Sequence, residues 1–433
     1  MSKRAWLLMV AAAGLIGLAL LNVEVSVDIH PRSAEAQDEA PSAWSPTDPY
    51  PVHDAYYPGT EPLAADEMRV IACGTGMPTP RLKQAAACFL VELGNGEKFI
   101  FDMGEGSYER ISALGIPLDQ LDKVFLGHLH LDHAGDFPAF YLTGPVNNRL
   151  TPLRVWGPDG MKPEWGTKAW VAHMEQMWAW ESATRGSVVD PRGLELEVNE
   201  FDWTAVNNVI FDEGGVVVRT VPAIHGEQSV SFILEWSGLK FAFSSDTLPT
   251  TGWRDHAVGV DLSIHECFLP PRMMMSKLGM TASEAVFVGT QGHTSAQAFG
   301  KIMSLTQPRL AVCYHFQNDA DTSIAVYDEI RKTYDGPLDL ATDFMVWNVT
   351  SEDIRTRMAV PNHEGFPPPP QRVKQPPDSM AILSEMFSET TLSSIEPESA
   401  AVTNAQIEAF NARNGTDVKP GLTAIPFMEP KAQ

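Results

Sequence analysis

Short apolar runs separated by turn residues recur through the middle of the chain. Alternating or continuous apolar residues over four to six positions are typical of β-strands, and they predict strands at 68–73, 88–92, 98–101, 123–126, 153–156, 216–220, 231–235, 240–243 and 309–313. Helical spacing predicts helices at 107–114, 168–177 and 295–303. Strands and helices in this order predict an α/β fold in which helices cover the outer faces of sheets.

The first residues have the layout of an export segment. Lys3 and Arg4 precede an uncharged apolar stretch at 5–21, and a small-residue cleavage pattern, Ala-Glu-Ala, follows at 34–36. The apolar stretch is also almost long enough to span a thin bilayer. We therefore expect residues 1–36 to be a signal peptide or a membrane anchor, with the protein exported to the periplasm or anchored facing it.

The segments that flank the strand-rich region differ from it in composition. Residues 37–67 are rich in Pro, Ser, Asp and Tyr and lack periodicity, so they are expected to be a linker that packs on the strand-rich domain, 68–350. Proline clusters at 366–370 and 376–377 indicate a stiff spacer. We expect 351–433 to form a Pro-rich linker and C-terminal tail, with short helices at 380–387 and 405–412.

Charge and cysteine content exclude some kinds of site. The 433 residues include 31 Lys plus Arg against 55 Asp plus Glu, a net charge of −24. Such a surface repels nucleic acid, so a small-molecule substrate is expected instead. Neither charge nor cysteine content excludes a homo-oligomer. Cys73, Cys88, Cys267 and Cys313 show no CxxC spacing, which argues against a zinc–thiolate site. We expect each to be a buried thiol, although an exported protein could pair them.

The chemistry is concentrated in the segment from His128 to His133, which contains three imidazoles and one carboxylate in six residues. Imidazole nitrogens and carboxylate oxygens are the usual ligands of zinc-like ions. Alternation along an extended segment places His128 and His130 on one side, where they could share an ion. Asp132 and His133 lie further along and are displaced toward a second position.

This HxHxDH segment resembles that of the metallo-β-lactamase superfamily, and the resemblance covers roughly 68–349. Within the superfamily it is most similar to the ribonuclease Z/arylsulfatase-like branch. The further matching segments are 74–81 (GTGMPTPR), 101–104 (FDMG), 224–226 (IHG), 243–247 (FSSDT), 264–268 (IHECF), 293–296 (HTSA) and 314–316 (YHF). Ser245 stands where the family's FSGDT segment has glycine. The resemblance implies a four-layer αββα sandwich.

The resemblance also implies a role for each matching residue. One metal ion would be bound by His128, His130 and His225, the other by Asp132, His133 and His315, with Asp246 bridging them. The ions would be divalent, zinc first, with manganese or iron as alternatives. Asp132 could also accept a proton from the attacking water. His293 would contact the substrate oxyanion or protonate the leaving group, and Glu266 would orient His293.

These implications predict an exported hydrolase that attacks a small ester-like substrate with a metal-activated water. Phosphodiesters and sulfate esters come first, lactones and carboxylic esters next. Ribonuclease Z-type enzymes hold tRNA with a long inserted arm, but only Trp236-Ser-Gly-Leu239 separates two predicted strands here, so tRNA processing is disfavoured. A faint resemblance to exported metallo-hydrolases found with guanitoxin biosynthesis does not define the substrate. The alternatives are a metal-containing binding or structural protein and an iron oxidoreductase of the same fold.

Overall fold

The computed structural model describes residues 54–370 except 186–188 and 227, together with residue 372 and residues 397–418. The predicted export segment and the predicted helix at 380–387 lie outside these residues. The predicted helix at 405–412 lies within a longer helix, Pro397–Asn414. No helix of the described part is long and apolar enough to cross a membrane.

The described strands form two sheets. In spatial order, the nine-stranded sheet contains β1 (Asp54–Tyr56), β16 (Ile354–Ala359), β15 (Met345–Val349), β2 (Met68–Gly74), β3 (Cys88–Leu93), β4 (Lys98–Phe101), β5 (Lys123–Phe125), β6 (Leu153–Pro158) and β7 (Leu196–Phe201). The seven-stranded sheet contains β14 (Leu338–Leu340), β13 (Leu310–Tyr314), β12 (Leu262–Glu266), β11 (Leu239–Phe243), β10 (Val230–Trp236), β9 (Val216–Pro222) and β8 (Asn208–Glu213).

Helices cover the outer face of each sheet. Those associated with the first sheet are α1 (Ser107–Ala113), α2 (Leu131–Ala134), α3 (Phe137–Thr143), α4 (Thr167–Met177) and α5 (Ala179–Arg185). Those associated with the second are α6 (Thr251–His256), α7 (Pro271–Leu278), α8 (Ala282–Phe287), α9 (Ala296–Thr306) and α10 (Ala320–Ile330). The helix at Pro397–Asn414 is α11. A π-helical turn, Val288–Gly292, follows α8 directly.

Three apolar layers hold the four structural layers together. Between the sheets, Phe125 stacks on Trp156 with ring centroids 4.7 Å apart, and the buried side chains there come from both sheets. A second cluster joins the first sheet to α1, α3 and α4, and a third joins the second sheet to α6, α9 and α10. The predicted four-layer αββα sandwich is therefore confirmed.

The first sheet extends past both ends of the predicted domain, 68–350. The strand β1 pairs in parallel with β16, with Asp54 opposite Arg357. Arg357 is almost fully buried and donates to Glu61 at 2.7 Å. Residues near 54–61 and 354–359 therefore belong to the same folded unit as the strands between them.

Two of the four cysteines differ from the expected buried thiols. Cys267, directly after β12, forms a disulfide with Cys313 near the end of β13. The two strands are parallel neighbours, with His265 opposite Cys313. The sequence could not indicate this pairing because the partners are 46 residues apart and meet only through the sheet register. Cys73 and Cys88 are free and buried, as expected.

Candidate metal centre

The seven predicted metal ligands converge from four chain segments. Four of them, His128, His130, Asp132 and His133, lie on the loop after β5 and on α2. His225 follows β9, Asp246 follows β11 and His315 follows β13. The strands β11, β12 and β13 are parallel, so their carboxyl ends deliver side chains to one edge of the sheet.

Three histidines form the first ligand group. The Nε2 atom of His128 lies 3.1 Å from Nδ1 of His130, which lies 3.3 Å from Nε2 of His225. An ion bound tetrahedrally by nitrogens at about 2.1 Å requires separations of about 3.4 Å. The three nitrogens therefore fit a common ion.

The second ligand group contains two histidines and two carboxylates, Asp132, His133, Asp246 and His315. The two Nε2 atoms lie 3.4 Å apart. Oδ2 of Asp132 is 3.1 Å from His315 Nε2 and 3.5 Å from His133 Nε2. These spacings also suit one ion with nitrogen and oxygen ligands.

Asp246 connects the two groups through its two oxygens. Its Oδ1 atom lies 3.1 Å from His133 Nε2 and 3.2 Å from His315 Nε2. Its Oδ2 atom faces the first group, 3.6 Å from His225 Nε2 and 4.0 Å from His128 Nε2. The carboxylate is almost fully buried, and its Oδ1 has no hydrogen-bond donor in the described part of the chain. This arrangement suits a carboxylate that bridges two cations.

The electrostatics of the site favour bound cations. Burial lowers the pKa of His128 and His130, which keeps their nitrogen lone pairs available. Burial opposes the charged form of Asp132, yet its pKa is lowered overall by His133 and His315. Burial also opposes a charge on His133, but the carboxylates facing it, Asp246 foremost, raise its pKa well above its usual range. Negative charge is therefore concentrated where a cation would bind.

A second shell of hydrogen bonds orients the ligands. Asp102, fully buried after β4, accepts from the backbone N–H of Gly127 at 2.7 Å and from Nδ1 of His133 at 2.6 Å. Nδ1 of His225 donates to the carbonyl oxygen of Gly292 at 2.9 Å, so the π turn supports a ligand, as such turns often do at functional sites. Sequence analysis assigned no role to Asp102, although its position in the 101–104 motif offered a signal.

Glu266 and His293 lie beside the second ligand group. Nδ1 of His293 is 3.1 Å from Oε2 of Glu266. The same oxygen accepts from the backbone N–H of Thr294 at 3.3 Å, and Oε1 of Glu266 accepts from the backbone N–H of Thr247 at 2.5 Å. Burial and the charge of Asp246 raise the pKa of Glu266 well above its usual range, whereas burial lowers the pKa of His293. These shifts favour one proton shared by the pair over a full ion pair.

The ring of His293 is fixed in a definite plane. Phe268, buried after β12, stacks on it with centroids 4.2 Å apart and an interplanar angle of 7°. The backbone N–H of Phe268 donates to the carbonyl of Thr294 at 2.8 Å. With Nδ1 bonded to Glu266, Nε2 of His293 is the nitrogen left to contact a substrate.

A set of tryptophans between residues 165 and 180 adjoins the loop that carries His225. The side chain of Gln228 donates to the carbonyl oxygen of Trp165 at 2.8 Å. Trp170 on α4 packs against Phe137, with ring centroids 5.6 Å apart, whereas Trp180 is 76% exposed. Part of this aromatic set therefore packs helices together, and part presents apolar surface to solvent.

The chain is similar to known proteins over its central part. A family model described as the metallo-beta-lactamase superfamily matches residues 83–270. The chain is 28% identical over 207 residues to a ribonuclease Z of Mycolicibacterium gilvum, covering 46% of this chain and 68% of that protein. It is 29% identical over 203 residues to a ribonuclease Z of Mycobacterium sp. (strain KMS), covering 46% and 68%. The metallo-beta-lactamase fold protein YhfI from Bacillus subtilis aligns with a TM-score of 0.49 and 17% identity, over 66% of this chain and 100% of that one.

Proposed function

We propose that the chain hydrolyses a small phosphodiester or sulfate ester with two zinc ions. The match of residues 83–270 to the metallo-beta-lactamase superfamily model and the His/Asp clusters able to bind metal support this. Lactones and carboxylic esters are the next candidates. The observation that carries the proposal is the position of the Asp246 carboxylate between the two ligand groups. Its Oδ1 faces one group and its Oδ2 faces the other. A structural metal site would have no need of a shared carboxylate between two open groups.

Different residues would assist the attack of water and the departure of the leaving group. Two divalent cations, when bound, would lower the pKa of a shared water and stabilise the charge that develops on the reacting oxygens. Asp132, ionised and beside His315, is placed to accept a proton from the water. Nε2 of His293 is placed to donate a proton to the leaving oxygen, while Glu266 holds Nδ1.

Two features favour a small substrate over tRNA. The segment between His225 and Asp246 consists of the hairpin β10–β11, whose turn is Ser237-Gly238, so it leaves no space for an inserted arm. The net charge of −24 also weakens attraction to a polyanion. The ribonuclease Z names of the similar proteins support a phosphodiester as the first bond to test.

We also propose that the protein is exported. The disulfide Cys267–Cys313 supports this, because such bonds persist mainly in oxidising compartments. Fractionation of cells that express the full chain, followed by thiol alkylation of the denatured, unreduced protein, tests the idea. We expect the protein outside the cytosol with two alkylatable thiols, Cys73 and Cys88. A cytosolic protein with four alkylatable thiols would contradict it.

The reaction is tested with a panel of chromogenic substrates: bis-p-nitrophenyl phosphate, p-nitrophenyl sulfate, a lactone and p-nitrophenyl acetate. We expect chelator-sensitive cleavage of the phosphodiester or sulfate ester, restored by zinc and lost in Asp246→Ala. Asp255→Ala, which removes an exposed carboxylate paired with Arg254, is the control and should behave as wild type. Bound metal without turnover on the panel would instead favour a metal-containing binding protein.

A further inference from the structure

Ser245 occupies a backbone conformation that serine rarely adopts. It lies two residues after β11, is fully buried and has a φ of +50°. Residues other than glycine are uncommon in this left-handed region because their Cβ atom crowds the backbone. The similar FSGDT segment has glycine here. A serine at this position therefore needs a compensating contact.

The hydroxyl of Ser245 makes that contact, and through Asp102 it connects the two ligand groups. It donates to Oδ2 of Asp102 at 2.8 Å, and it lies 3.2 Å from Nδ1 of His128. The same Asp102 oxygen accepts from Nδ1 of His133 at 2.6 Å. A chain of hydrogen bonds thus runs from His128 through Ser245 to Asp102 and His133. The first histidine belongs to the three-histidine group and the second to the four-ligand group.

Gly127 provides the space for this hydroxyl. A Cβ atom at position 127 would lie 2.3 Å from Ser245 Oγ, closer than real contacts allow. Its neighbour His128 is only 3% exposed, so water has little access to Nδ1. If the hydroxyl were removed, a buried N–H would lose its acceptor, which is costly.

We propose that Ser245 is a positioning residue for His128 and thereby sets the metal affinity of the three-histidine group. By accepting from Nδ1–H, the hydroxyl fixes the tautomer and ring orientation that direct Nε2 toward His130 and His225. Loss of such an outer hydrogen bond typically weakens metal binding about 10- to 100-fold. The inference rests on the proposed two-metal centre.

The test measures zinc affinity of the purified full chain by competition with a chromophoric chelator. Ser245→Ala removes only the hydroxyl. We expect the affinity for one of the two zinc equivalents to weaken about 10- to 100-fold, because His128 loses its outer hydrogen bond. His133 keeps its direct bond to Asp102. The other equivalent should keep its wild-type affinity.

Glycine variants separate the hydroxyl from the backbone. Ser245→Gly relieves the strained φ but also lacks the hydroxyl, so it should lose affinity as Ser245→Ala does; it also serves if the alanine variant does not fold. Ser237 has the same φ of +50° in the exposed β10–β11 turn, and Ser237→Gly should bind zinc as wild type does.

Two results would overturn the inference. If both Ser245 variants retain two equivalents at wild-type affinity, the hydroxyl does not position His128 and the two-metal proposal is unaffected. If the wild-type protein itself binds no zinc, the two-metal proposal fails and the role of Ser245 fails with it.

Discussion

Replacement of His293 by alanine should affect departure of the leaving group without affecting metal binding. Its Nδ1 atom is held by Glu266 and its ring by Phe268, which leaves Nε2 for the leaving oxygen. A positioned general acid contributes about 10²–10⁴-fold in rate, or about 3–5 kcal/mol of transition-state stabilisation. We therefore expect a loss of that size in kcat/KM for esters whose leaving oxygen needs a proton.

The assay compares aryl methyl phosphates that range from p-nitrophenyl to unsubstituted phenyl. The p-nitrophenolate ion departs readily without a proton, so His293→Ala should slow that ester least. The loss should grow steadily toward phenyl, where the full about 10²–10⁴-fold effect is expected. His173→Ala, an exposed histidine on α4, is the matched control and should leave the whole series unchanged.

Two outcomes would refute this reasoning. A loss of the same size for every leaving group would mean that His293 acts on the oxyanion or on substrate binding. A variant that also loses zinc, measured by elemental analysis, would mean that the imidazole is a metal ligand. Nδ1 of His293 lies 3.8 Å from Oδ2 of Asp246.

Three further predictions follow from the same geometry. Asp246→Ala should lose both metals and all metal-dependent turnover, measured by elemental analysis and assay, because its two oxygens serve both groups. Phe268→Leu should lower kcat/KM by about 2- to 13-fold, the contribution of one aromatic stack, with the same dependence on the leaving group as His293→Ala. Phe268→Tyr should keep the wild-type rates, and a loss of equal size for every leaving group would contradict this. Burial raises the pKa of Asp136 to about 6, from an ordinary value of about 3.9. The folded state therefore favours the protonated form, and wild type should lose thermal stability relative to Asp136→Asn as pH rises from about 4 to about 6. A difference in melting temperature that stays constant across that range would show that the pKa of Asp136 is not raised.

Much of the fold could be predicted because its strands are short and strongly apolar. The strands β2, β3 and β4 were predicted to within one residue, since both faces of each are buried. The strand β16 was missed because three of its six residues are Arg or Thr, including the buried Arg357, so the segment contains no apolar run. Its place in the sheet depends on pairing with β1 and β15, which are distant in sequence.

The site shows the same division between local and long-range information. The segment from His128 to His133 could be identified from spacing alone, and the other ligands were identified by resemblance; their binding of metal stays a prediction. Asp102 lies in a recognised motif, but its bond to His133, 31 residues away, and the bond that Ser245 donates to it, across 143 residues, depend on the fold and could not be predicted. Phe268 gave no signal either, since stacking on His293 requires the fold that brings them together.

The central claim is a two-metal centre built on Asp246, and metal content tests it most directly. The purified full chain would be analysed for metals after zinc loading and removal of excess ion, alongside Asp246→Ala. The account predicts about two equivalents of zinc in the wild-type protein and far less in the variant. A single equivalent in wild type, or two equivalents retained by Asp246→Ala, would contradict it.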